Sequence, residues 1–150
     1  MKRWMILAVL LMLLLSACAP ERTPGELRVQ MEELSLPSGA WYTSEAREWE
    51  TDYLPRALLP YFFGKDVPDY PWILYLGTHP EHPCELLYAV CHTESEARAL
   101  AETLSARLAT LVSSGEIPEN TAKSSAVVRK GRAVLYALTP MNEEILSLYT

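Results

Sequence analysis

His79, His82, Cys84, Cys91 and His92 fall within fourteen consecutive residues of a chain that holds three histidines and three cysteines in all. Imidazole with thiolate is a ligand set that suits zinc or copper. The loop His79-Pro80-Glu81-His82-Pro83-Cys84 brings three such ligands together, with Glu81 as an available fourth. Cys91-His92 lies beyond an apolar run of strand length, and seven extended residues cover about 23 Å, so Cys84 and Cys91 cannot share an ion. The same separation forbids a disulfide, which needs Cα atoms within roughly 7 Å. The candidate metal set is therefore His79, His82 and Cys84. Its spacing matches no established zinc pattern, and the plainer reading is a solvated, proline-stiffened loop with no bound metal or other cofactor. Cys91 then reads as a small buried apolar residue.

Other catalytic chemistry is thinly represented. The sequence has no Gly-x-Ser-x-Gly elbow, no His-Glu-x-x-His and no phosphate loop. The acid pairs Glu32-Glu33 and Glu143-Glu144 occupy adjacent helical positions, which do not face one another. Glu85 stands at the entrance to an apolar run. Edge exposure is expected for it, because a buried carboxylate would need a cation such as Arg107, Arg129 or Lys130. The stretch from Trp41 to Tyr75 contains ten of the fourteen aromatic residues. Phe62, Phe63 and Trp72 read as core, while Trp41, Tyr42 and Trp49 form a candidate surface for a glycan ring or a peptide. These features favour a non-enzymatic binding or accessory module. A metal-binding surface protein using the His79/His82/Cys84 loop is the alternative, and an enzyme of unrecognised type ranks third.

The N-terminus points to where such a module works. Lys2 and Arg3 precede an eleven-residue apolar run, Met5 to Leu15, and Ser16-Ala17 supply the small residues of a cleavage site. That run is short of the roughly 20 apolar residues a membrane span requires. Leu15-Ser16-Ala17-Cys18 resembles the lipobox of bacterial lipoproteins. The resemblance implies cleavage between Ala17 and Cys18, a diacylglyceryl group on the Cys18 sulfur, and an extracytoplasmic protein held on the cell membrane by its lipid. Two acyl chains suffice for stable anchoring where one is marginal. The expected organisation is a signal peptide (1–17), a lipidated N-terminus and linker (18–24), and one domain (25–150).

Removal of residues 1–17 leaves 133 of the 150 residues and, with Lys2 and Arg3 gone, moves the formal charge from -6 to -8. That length suits one domain with its own core. An acidic domain offers no electrostatic basis for nucleic-acid binding, and it is expected to be repelled by anionic lipid headgroups rather than to lie on them. The expected partners are the bilayer, through the lipid, and an envelope protein, peptide or glycan.

The elements that must position these residues can be read from period and punctuation. Ala97, Leu100, Ala101, Leu104, Leu108, Leu111 and Val112 recur at helical steps and predict a long helix over about 94–112. Thr93 and Glu96 form a capping box at its start, and Gly115 offers a stop. Trp72–Leu76, Glu85–Cys91, Ala126–Lys130 and Ala133–Leu138 predict four strands, the last two joined by a tight hairpin at Gly131-Arg132. Several of these runs are apolar throughout, which implies covered faces on both sides. Leu27, Met31 and Leu34 mark a short helix. Pro55 and Pro60 break the aromatic stretch into short helical pieces, and a last helix is expected from Pro140, carrying Ile145 and Leu148 inward. The fold class is α+β, with a mostly antiparallel four-stranded sheet packed by one long helix and a partial second layer of short helices.

From about Asp52 onward the order of segments resembles a family of small bacterial lipoproteins known as domain of unknown function 4358. The likeness is carried by Tyr61-Phe62-Phe63-Gly64-Lys65-Asp66-Val67-Pro68-Asp69-Tyr70, by Cys84-Glu85-Leu86-Leu87-Tyr88-Ala89-Val90, by Glu94-Ser95-Glu96-Ala97 opening a helix that contains Ala106-Arg107-Leu108, and by Val127-Val128-Arg129-Lys130-Gly131-Arg132-Ala133-Val134. Where members carry a longer acidic, tyrosine-containing segment after the helix, this chain has Ser113 to Ser124. The resemblance implies a lipoprotein of this fold and brings no activity with it.

Overall fold

The structure, a computed structural model, describes residues 21–65, 67–79 and 83–150. The signal peptide, Cys18, Glu81 and His82 lie outside the described residues. Thr23 caps the first helix, α1 (Pro24–Glu32), and Glu26 reaches back to the Thr23 backbone N–H at 2.9 Å. Strand β1 (Gly39–Thr43) follows, then a 3₁₀ turn (Arg56–Leu58) that runs into α2 (Leu59–Phe63). Gly64, in the left-handed conformation at φ 64°, ends α2. Strands β2 (Trp72–Gly77) and β3 (Glu85–Val90) lead into the long helix α3 (Glu94–Ser113) and the short α4 (Glu119–Ser124). The hairpin β4 (Ala126–Lys130) and β5 (Ala133–Leu138) precedes the last helix, α5 (Asn142–Tyr149).

All five strands belong to one antiparallel sheet in the order β1-β2-β3-β5-β4. The α+β class and the long helix are as expected, and the sheet has five strands where four were expected. The added strand, β1, comes from the aromatic stretch read as short helical pieces. Trp41 pairs with Tyr75 and Tyr42 with Leu74, so the two aromatics point to opposite faces and leave no polar alternation to mark a strand. Gly39 opens β1 because a Cβ there would lie 2.4 Å from the Leu76 carbonyl oxygen. The helical reading holds further on, where Pro55 precedes the 3₁₀ turn and Pro60 sits in the first turn of α2.

Since β3 and β4 both run antiparallel to β5, which lies between them, the α3–α4 crossover forms a split β-α-β unit. The capping box expected for α3 is present, with the Glu96 N–H donating to Thr93 Oγ1 at 3.1 Å and the Thr93 N–H donating to Glu96 Oε2 at 3.1 Å. Ala97, Leu100 and Leu104 are buried, whereas Leu108 and Leu111 are only half-buried and Val112 is exposed, so the apolar stripe fades along the helix. The hairpin turns at Gly131, which has a φ of 56°, where a β-carbon would be strained.

Helices cover both faces of the sheet. On one, Trp72, Leu74, Leu87, Ala89, Val134, Tyr136 and Leu138 pack against residues of α2 and α3, with Ala122 of α4 at the margin. On the other, Ile73, Tyr75, Leu86, Tyr88, Leu135 and Ala137 meet Leu27 and Met31 of α1 and Ile145 of α5. This explains the continuous apolarity of β3 and β5. α5 begins at Asn142, two residues later than expected. The buried Thr139 instead shapes the turn, donating from its backbone N–H and hydroxyl to Asn142 Oδ1 and accepting at Oγ1 from Met141 N–H. Among the described residues no helix is long and apolar enough to cross a membrane.

Leu135 lies at the centre of this arrangement with no exposed surface. Leu135→Ala should lower the free energy of unfolding by about 2–5 kcal/mol, whereas Val112→Ala, on the fading end of α3, should cost less than about 1 kcal/mol. Urea denaturation followed by circular dichroism measures both.

Candidate functional site: a cleft at the end of the sheet

A cleft of about 560 Å³ opens where β2 ends and β3 begins. Leu76 to His79 and Pro83 to Glu85 line one side, Leu58, Tyr61 and Phe62 line the other, and Arg107 of α3 contributes to its wall. Tyr61 is 64% exposed at its mouth, while Phe62 beneath is buried.

Glu85 is the first residue of β3 and pairs with Leu76 on one side and Leu138 on the other. It was expected at an exposed edge. The fifth strand and the placement of β5 put β3 at the middle of the sheet, and the Glu85 side chain is 14% exposed. Three hydrogen bonds answer its charge. Arg107 Nε donates to Oε2 at 2.8 Å, Arg107 Nη2 donates to Oε1 at 2.5 Å, and the Tyr136 hydroxyl donates to Oε2 at 2.7 Å. The two arginine bonds form a bidentate fork, the geometry in which guanidinium and carboxylate bind most strongly. The Phe62 ring lies 4.4 Å below the Arg107 guanidinium carbon and adds a cation–π contact.

Burial disfavours a charged Arg107, but the hydrogen bonds and negative charge of Glu85 outweigh it and raise the guanidinium pKa. The Tyr136 hydroxyl is also pushed up, first by burial and then by the Glu85 charge, so it is a fixed donor. The Arg107 guanidinium also interacts with the Tyr136 hydroxyl, and its side chain remains 23% exposed. Among the described residues no buried side-chain nitrogen or oxygen is left without a hydrogen bond. The cleft wall thus presents a partly exposed ion pair next to an exposed aromatic ring.

The residues singled out from the sequence are distributed differently. His79 is exposed and lines the cleft. Cys84 precedes Glu85 and therefore projects to the opposite face, where it is buried with Tyr75 and Leu86. Burial, reinforced by the negative charge of Glu85, pushes its thiol up to about 12. No group of three or more His, Cys, Asp or Glu positioned for a metal occurs among the described residues. Cys91 lies on the other face of the sheet, and both cysteines are free and buried. Burial and the Glu96 charge push the Cys91 thiol up to about 11.

Trp41, Tyr42 and Trp49 are not brought together as one surface. Trp41 packs on Tyr75 at 5.0 Å between centroids and lies under Arg28, Tyr42 packs into the core on the other face, and Trp49 is 77% exposed beneath Arg47. Sequence reasoning had treated Arg107 only as one of three cations able to answer Glu85, and had not placed Leu58 or Tyr61 in a site.

The thiols make a prediction for alkaline pH. Their pKa values in the folded chain exceed the ordinary 9.0, so the folded state holds protons that the unfolded state loses as pH rises. Their contribution is complete below about pH 9 and is lost as pH climbs through about 11 to 12. Between about pH 9 and 10.5, stability should fall less steeply in C84A/C91A than in the parent chain, as read from denaturant midpoints across that range. Compared with known proteins, the chain matches no protein-family model, and no curated protein or solved structure matches it significantly.

Proposed function

We propose that this chain is a lipid-anchored extracytoplasmic lipoprotein, kin to the family it resembles, that acts by binding rather than catalysis, with the cleft beside Glu85 and Arg107 as its ligand site. The N-terminal segment supports the location. The observation that carries the binding role is the pairing, in one cleft, of an exposed Tyr61 ring with a half-buried Glu85–Arg107 fork. Glu85 already accepts three hydrogen bonds, which suits a fixed recognition element.

The ligand chemistry follows from the charges. Among the described lining residues the full charges of Glu85 and Arg107 offset each other, which gives little advantage to an ion, whereas adjacent donors and acceptors next to an aromatic face complement the hydroxyls and apolar ring face of a sugar. The favoured ligand is an uncharged glycan segment of the cell envelope, which makes the protein an accessory to envelope assembly or sensing.

Titration of the protein with soluble N-acetylglucosamine oligomers, followed by calorimetry, tests this reading. Saturable binding is expected, weakened at least about tenfold by Tyr61→Ala, a loss worth about 1.4 kcal/mol. Tyr61 is exposed, so the variant should keep the parent's thermal stability. Absence of saturable binding, or equal binding by parent and variant, would contradict the assignment of the cleft to glycan.

A further inference from the structure

We infer that the face built from Arg22, Arg129, Lys130 and Arg132 rests against anionic lipid headgroups, so that the lipid is not the domain's only hold on the membrane. The inference depends on lipidation of Cys18, and it adds an orientation and a second interaction surface. Whatever their conformation, Ala19 and Pro20 allow no more than about 11 Å between the Cα atoms of Cys18 and Glu21. A lipidated Cys18 therefore holds Glu21 close to the headgroup layer.

Glu21 and Arg22 do not continue as a free tether. Glu21 grips the β4–β5 turn, accepting from the Arg132 backbone N–H at 3.0 Å and from Arg132 Nη2 at 2.9 Å. Arg22 Nη1 donates to Gln30 Oε1 at 2.8 Å and to the Leu148 carbonyl at 2.7 Å, while the Arg22 carbonyl accepts from the Tyr88 hydroxyl at 2.9 Å. Five bonds to α1, α5, β3 and the hairpin thus begin three residues after the proposed anchor. The part of the chain expected as a linker belongs to the domain from Glu21 onward, and it selects which side of the domain faces the bilayer.

That side is basic. Arg22, Arg129, Lys130 and Arg132 are all exposed, and they amount to four of the eleven Lys and Arg residues left once 1–17 is removed. Arg129 donates to the Gly131 carbonyl, and Lys130 donates to the Tyr149 carbonyl with its ammonium 5.0 Å from the Tyr149 ring. Two carboxylates share that side, Glu21, which pairs with Arg132, and Glu26, which accepts from the Thr23 N–H, and the four cations outnumber them. On the α3 side of the same end lie three further carboxylates, Glu94, Glu96, which accepts from the His92 and Thr93 N–H groups, and Asp69, which is 3.9 Å from His92 Nε2. A domain with a net charge of -8 is repelled by an anionic bilayer as a whole. With its basic hairpin next to the anchor, it gains attraction over the few ångströms where screening is weakest and directs its acidic bulk outward.

The mature chain has three lysines, Lys65, Lys123 and Lys130, and Lys123 on α4 is an exposed internal reference. The lipoprotein purified from membranes is first weighed intact, then reconstituted into vesicles of phosphatidylcholine, with or without phosphatidylglycerol, and acetylated briefly with an amine-reactive ester. Relative to Lys123, Lys130 should be modified at least about threefold more slowly on the anionic vesicles, and about 0.5 M salt should abolish the difference. Arg129→Gln should reduce the protection without lowering thermal stability. Equal Lys130:Lys123 ratios on both vesicles, with the lipid mass present, would overturn the headgroup contact and leave the anchor intact. A chain lacking lipid on Cys18 would overturn the anchor and the contact together.

Discussion

A carboxylate on a central strand, flanked by apolar neighbours, is the constraint on which much of this structure turns. Glu85 must be answered where it stands, because both faces of the sheet are covered, and shifting β3 by one residue would only carry it to the other buried face while turning over every other side chain of that strand. Arg107 answers it from α3, which helps set the position of the long helix over the sheet. Tyr136 answers it from β5. Phe62 lies beneath the guanidinium and so brings in α2. One charge thus connects four elements, and the cleft is the space left open around that connection.

Buried ion pairs of this kind contribute little net stability, because desolvation consumes most of the attraction. What they supply is specificity of arrangement, since removing one partner leaves a charge stranded. The apolar energy comes from the two covered faces, where leucines such as Leu74, Leu86, Leu87, Leu135 and Leu138 have no exposed surface. Burying a leucine completely contributes roughly 1.5–3 kcal/mol. The two buried thiols belong to that apolar inventory, one on each face, and their raised pKa values mark them as packing residues rather than nucleophiles.

How far this could be read beforehand depended on how local each signal is. The start of α3 was legible because Thr93 and Glu96 are three residues apart, and the β4–β5 hairpin because Gly131 permits a left-handed turn. β1 was not. Its partner residues lie thirty or more positions away, both its faces are partly covered, and the glycine that permits the approach is needed because of Leu76 rather than any neighbour in sequence. The cleft was half legible. Glu85 at the entrance to an apolar run put three cations in view should it be buried, but edge exposure was the expectation. Which cation answers, and that Leu58 and Tyr61 stand opposite, depend on how α2 and α3 pack, which no period along either helix encodes. The docking of Glu21 and Arg22 was hidden in the same way, since a proline-bracketed polar stretch reads as linker until the hairpin it binds is in place.

The central claim is that Glu85 and Arg107 act as one unit at the sheet end. A double-mutant cycle with Glu85→Gln, Arg107→Met and the double variant, measured by denaturant unfolding, tests it most directly. A coupling of about 2 kcal/mol or more is predicted, with the double variant more stable than Arg107→Met, which leaves the carboxylate stranded. A coupling below about 0.5 kcal/mol, the level of an exposed surface pair, would contradict the account.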